Sequence, residues 1–141
     1  MNIKIGAFVG GFIGIAVILM VTFCFTGCGK KPSREYYANG KLKSEMSYEK
    51  GIHHVLSKDY YENGQLESEM SFDNGKPEGA VKWYYENGQL ESESFFKNGK
   101  LEGLSKKYYK SGKLRSEESY ANGEFNVLSY REYDESGHLK P

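Results

Sequence analysis

Four glutamates recur at Glu45, Glu69, Glu93 and Glu117, and three lysines at Lys58, Lys82 and Lys106. Paired carboxylates can carry acid/base chemistry or bind calcium, so these are the first residues to weigh for a catalytic or metal role. Their spacing argues against it. Each set steps by 24 residues, a strand-skipping distance rather than a shared site. Cross-strand ion pairing on a solvated face is the expected use. His53 and His54 are the other local concentration of chemistry. Neighbouring strand residues point to opposite faces, so the two rings are poorly placed to chelate one metal, and a turn or capping position is expected. His138, three residues from the end, is expected to be mobile. The serines recur with the same period, as architecture does. The sequence carries no nucleophile constellation, phosphate loop or dinucleotide fingerprint. We expect no enzymatic activity, no cofactor and no metal.

The aromatic residues offer a different chemistry, that of a contact surface. Tyrosines come in pairs at Tyr36-Tyr37, Tyr60-Tyr61, Tyr84-Tyr85 and Tyr108-Tyr109, and Trp83 precedes the third pair. On a strand each pair puts one ring on each sheet face. One ring should pack between units while the other joins an exposed column. Trp83, Tyr84 and Tyr85, flanked by Tyr60, Tyr61, Tyr108 and Tyr109, are the candidate partner-binding residues. Packing across strands is the competing use and is expected for most of the rings. Formal net charge is zero, so there is no basic stripe for nucleic acid, and none is expected as a partner.

The elements that position these residues begin with the N-terminus. After Lys4 no charge appears from Ile5 to Gly29. At about 1.5 Å per helical residue such a run can cross a bilayer core of about 30 Å. Its end reads Phe25-Thr26-Gly27-Cys28, followed by Gly29-Lys30-Lys31. Small residues directly before a cysteine resemble the lipobox of bacterial lipoprotein signal peptides. That resemblance implies cleavage after Gly27, lipidation of Cys28 and an extracytoplasmic protein. An uncleaved anchor is the alternative, and the excess of Lys30, Lys31 and Arg34 over Lys4 would then place the rest in the cytoplasm. Both readings put the protein on a membrane. Cys24 and Cys28 are the only cysteines, so no disulfide or zinc site is expected beyond the leader.

Beyond residue 35 the chain repeats itself. Residues 60–83 and 84–107 agree at 17 of 24 positions. Gly40, Gly64, Gly88 and Gly112 form one series and Gly51, Gly75, Gly99 and Gly123 another, each stepping by 24. A degraded fifth start reaches Gly137 one residue late. Asn63-Gly64, Asn74-Gly75, Asn87-Gly88 and Asn98-Gly99 are expected to be type I′ hairpin turns, with positive φ at both residues. Leu66 to Phe72 alternates with period two, as a strand does. Each unit is therefore a pair of antiparallel strands. The stack is an all-β, elongated, single-sheet meander of eight or nine strands, preceded by one hydrophobic helix. Aromatics are plentiful and large aliphatics scarce after the leader, which suits a thin sheet better than a thick core.

The pattern Tyr-Tyr-Glu-Asn-Gly-Gln-Leu, followed by Asn-Gly-Lys and a later Gly79 or Gly103, resembles the bacterial variant of the MORN (membrane occupation and recognition nexus) repeat. Some such proteins are known as YwqK-type, antitoxin-like proteins. The resemblance implies an all-β scaffold for protein or lipid contacts. Residues 1–27 read as signal peptide or anchor, 28–35 as lipidated cysteine and tether, and 36–141 as the repeat domain. Its units are 36–59, 60–83, 84–107, 108–132 and a partial 133–141. A binding or scaffold module facing a protein or envelope surface is the expected function, and neutralisation of a toxin partner the alternative.

Overall fold

The computed structural model describes residues 31–49 and 53–141. The expected leader helix, Cys24 and Cys28 lie outside the described residues. The repeat region forms one antiparallel sheet of ten strands: β1 (Ser33–Tyr36), β2 (Leu42–Glu49), β3 (His54–Tyr60), β4 (Leu66–Asp73), β5 (Lys76–Tyr84), β6 (Leu90–Lys97), β7 (Lys100–Leu101), β8 (Gly103–Tyr108), β9 (Leu114–Ala121) and β10 (Glu124–Glu132). Strands pair in chain order, with the short β7 alongside β6. The meander is thus the expected one. The extra strands are β1, which starts before the first Tyr pair, and β7, which Glu102 separates from β8.

Two kinds of turn alternate along it. At Asn74-Gly75, Asn98-Gly99 and Asn122-Gly123 both residues have positive φ, with Asn at 48°, 52° and 53°. These are two-residue hairpins, with Asp73 opposite Lys76 and Ala121 opposite Glu124. At Asn63-Gly64 and Asn87-Gly88 only the glycine has positive φ, which corrects the type I′ expectation there. Tyr85 N–H donates to Gln89 O and Gly88 N–H to Tyr85 O, closing a three-residue loop with glycine in the left-handed region. The Asn87 side chain accepts from Gln89 N–H at 3.0 Å, which holds Asn87 right-handed.

A β-bulge recurs in every unit. Register slips before Tyr36, Tyr60, Tyr84 and Tyr108, and the extra residue opposite is Lys43, Glu67, Glu91 or Arg115. The expected alternation from Leu66 to Phe72 is therefore broken at Glu67 and regular from Ser68 onward. Among the described residues this single sheet has no second layer to cover it. Among the described residues the buried apolar side chain is Val81, 4% exposed, and the buried polar ones are Ser68, Ser105 and Ser116. Ser94 and Ser105 hydroxyls bond across strands at 2.6 Å, so small polar residues fill the tightest part of the sheet with their hydrogen bonds met.

Candidate functional site

The second tyrosine of every pair is tied into the sheet, and so is the first in the two later pairs, whereas Tyr36 is 59% exposed. The second ring of each pair reaches one unit ahead. Tyr37, Tyr61, Tyr85 and Tyr109 donate Oη–H to the carbonyls of Tyr60, Tyr84, Tyr108 and Tyr133, at 2.6–2.7 Å. Asn63 and Asn87 Nδ2 make the parallel bond to Glu86 and Lys110 carbonyls. The bulged residues lie against these second rings. Lys43 faces Tyr37 and Arg115 faces Tyr109, each 5.9 Å from the ring centre, and Lys110 sits 5.8 Å from Tyr85. Where the bulge carries a glutamate the field is reversed. Burial, then Glu67 and Glu91, push the Tyr61 phenol up. Burial, Asp59 and Glu86 push the Glu67 carboxyl up in turn.

The first rings of the two later pairs reach back, as does Tyr133 one period on. Tyr108 Oη donates to Glu93 at 2.8 Å, Tyr133 to Glu117 at 3.1 Å, and Tyr84 to Glu69 at 3.4 Å. The same glutamates pair with the lysine column, Lys82 to Glu69 at 3.6 Å and Lys106 to Glu93 at 3.7 Å. Arg34 and Arg131 complete the row on Glu45 and Glu117. Glu69, Glu93 and Glu117 thus each sit in a Glu–cation–Tyr cluster whose members satisfy one another, while Glu45 pairs with Arg34. Burial first, then the Glu93 hydrogen bond, pushes the Tyr108 phenol up to about 12. Arg131 above all holds the Glu117 carboxyl below the usual range.

Trp83 stands apart from both rows. It is half-buried between Ser68 and Ser92, on the face that carries Met70 and Val81. Tyr85 lines a shallow cleft of about 100 Å³ with Glu91, Ser92, Lys107, Tyr108 and Arg115. His53 occupies a turn and bonds to Asn74, while His54 lies 3.5 Å from Asp73, so the two histidines diverge. His138 is held in a closed loop, its N–H donating to Asp134 Oδ1 at 2.9 Å. Among the described residues no cluster of His, Cys, Asp and Glu could hold a metal, and no helix is long and apolar enough to cross a membrane.

Four successive stretches, 32–50, 54–74, 77–98 and 101–122, match the family model of the MORN repeat variant. The chain belongs to that family. MORN repeats are generally binding or scaffold modules. No curated protein matches this MORN chain. Among solved structures it is similar to the crystal structure of TarM, at 13% identity over 69% of this chain and 19% of that one, with a TM-score of 0.46. A mutant of S. aureus TarM in complex with Fondaparinux, alpha-GlcNAc-glycerol and UDP gives 14%, 70%, 20% and 0.46. The chain spans about a fifth of the length of those proteins.

The MORN period also brings out residues that neither the tyrosine pairs nor the charge columns indicate. On the Glu/Lys face, Phe95 pairs with Ala80, and Leu104 stands on the next strand opposite Ser119. Phe95 and Leu104 are 46% and 45% exposed. One period earlier the same positions hold Ser71 and Ala80. Phe95 is thus a departure from the repeat, and a departure is not explained by architecture. Comparing the units position by position would have found it.

Proposed function

We propose that this MORN repeat protein is a membrane-tethered binding module. Cys28 carries the lipid, the sheet lies outside the cytoplasmic membrane, and the Ala80–Phe95–Leu104 patch faces a protein partner. The observation that carries the reading is the exposure of Phe95 and Leu104 in a central unit, on the face that also carries the Glu–Lys–Tyr clusters. Exposed apolar groups inside a polar surround are the usual make-up of a contact patch. The hydroxyls of Tyr61, Tyr84, Tyr85, Tyr108 and Tyr109 are committed to internal bonds, so their rings frame the surface and position it. Trp83, Tyr61 and Tyr85 act on the opposite face as the stiff backing of the sheet.

The test exploits the repeat itself. Phe95→Ser with Leu104→Ala installs the residues that unit two already carries, so the fold is expected to survive. In-cell crosslinking should give a discrete protein adduct with the wild type and lose it with the double variant. Undiminished crosslinking would refute the patch. Fatty-acid labelling that persists in Cys28→Ser would refute the tether.

A further inference from the structure

Six Asn-Gly steps occur in this chain, at Asn39, Asn63, Asn74, Asn87, Asn98 and Asn122. Asn-Gly is the dipeptide most prone to spontaneous loss of the side-chain amide, because an unhindered glycine nitrogen can reach the asparagine Cγ. From the sequence alone the six are equivalent. The structure separates them, and we infer that Asn74-Gly75 is a built-in deamidation site, activated by His53.

The separation follows from what each side chain touches. Asn63 and Asn87 are clamped at both ends. Their Oδ1 atoms accept from the N–H of Gln65 and Gln89, and their Nδ2 atoms donate to the carbonyls of Glu86 and Lys110. The clamp ties each amide to two backbone groups, and attack by the next nitrogen would have to break both bonds. That nitrogen is also occupied, since Gly64 and Gly88 donate to Tyr61 and Tyr85 carbonyls at 2.8 Å. Asn98 and Asn122 sit in the other kind of turn. The structure records no side-chain hydrogen bond for either among the described residues, but Gly99 and Gly123 N–H donate to the carbonyls of Pro77 and Leu101.

Asn39 resembles the first pair, its Oδ1 accepting from Lys41 N–H and Gly40 N–H donating to the Tyr37 carbonyl, and Asn74 differs from all five. Its Oδ1 accepts from His53 Nδ1–H at 2.7 Å, and its Nδ2 donates to Asp73 Oδ1 at 3.2 Å. The carboxylate fixes which end of the amide meets the imidazole. The imidazole then draws electron density from the carbonyl that must be attacked. Gly75 N–H makes no bond of the kind seen at Gly99 among the described residues, and Asn74 N–H takes the neighbouring carbonyl, that of His53.

The step balances with water alone. Gly75 nitrogen gives its proton to solvent and attacks Asn74 Cγ. The Cγ–Nδ2 bond breaks and ammonia leaves with a proton, closing a succinimide. Water opens the ring at either carbonyl, yielding aspartate or isoaspartate. Isoaspartate adds a methylene to the backbone of a two-residue turn whose Asn has φ 48°. It would spread the ends of β4 and β5 where Asp73 pairs with Lys76.

The test is peptide mapping by mass spectrometry of the full-length chain in detergent, held at mildly alkaline pH. Asn74 should convert several-fold faster than Asn98 and Asn122, with Asn63 and Asn87 slowest. His53→Ala should slow conversion at Asn74 several-fold and leave the other sites unchanged. In strong denaturant the order should vanish. Conversion of Asn63 or Asn87 as fast as Asn74, an unchanged or faster Asn74 in His53→Ala, or an order that survives denaturation would each overturn the inference.

Discussion

Replacing Gly88 by valine tests the loop geometry most directly. Gly88 has φ +82°, in the left-handed region. An L-residue there costs about 1–2 kcal/mol, and a β-branched one belongs at the upper end or beyond, about 2–3 kcal/mol. The new Cβ would come within 2.7 Å of Gln65 Oε1, but that is the tip of a flexible side chain, so it moves aside and adds little. Opening the loop is no escape. It would forfeit the bonds from Gly88 N–H, Tyr85 N–H, Asn87 Nδ2 and Tyr85 Oη, each contributing about 1 kcal/mol. The strain is therefore borne, and the melting temperature should fall by about 10–20 °C for a folded part near 100 residues. Gly88→Asn should cost under about 1 kcal/mol, since asparagine tolerates the left-handed region. The same valine at Gly137, φ +92°, meets nothing within 4 Å and lies in the last unit, which contacts a neighbour on one side only. It should cost clearly less. Thermal melts of residues 31–141 would decide. If Gly88→Asn is as damaging as Gly88→Val, backbone conformation is not what the glycine supplies.

Three further outcomes are expected. Tyr61→Phe should destabilise by about 1 kcal/mol, whereas Tyr84→Phe should cost markedly less, because its bond to Glu69 is a long 3.4 Å against 2.7 Å for Tyr61; urea midpoints would show it. The Tyr108 phenol, pushed up to about 12 from an ordinary value near 10, makes stability present below pH 10 and lost as pH rises toward 12, because the unfolded chain releases that proton first. Tyr108→Phe should flatten this alkaline loss, and an unchanged slope would refute the assignment. The Glu117 carboxyl, lowered chiefly by Arg131, contributes stability above the ordinary carboxylate range that is lost as pH falls through its folded value. Arg131→Gln should shrink the acid-limb loss, measured by thermal melts below pH 5.

Period and class were legible because they depend on local chemistry. A 24-residue step in two glycine series, with period-two alternation between, leaves room only for stacked strand pairs. The Glu and Lys columns followed, since register in a meander carries equivalent residues onto opposed positions, as with Lys58 beside Glu69. What the sequence could not decide was which of two identical dipeptides forms which turn. Asn74-Gly75 and Asn87-Gly88 have the same intrinsic preference. At Asn87 the side chain is captured by Gln89 N–H and Lys110 O. At Asn74 the backbone N–H is taken by the His53 carbonyl, in the turn just before β3. The bulges at Lys43, Glu67, Glu91 and Arg115 were hidden for a similar reason, as a residue without a partner looks like any other until the neighbouring strand is in place. Exposure at Phe95 belongs to the same class: alternation names its face, but only the tertiary structure shows that no second layer among the described residues covers it. Local propensity determined the strands and their period, and contacts between units decided the turns, the bulges and the surface.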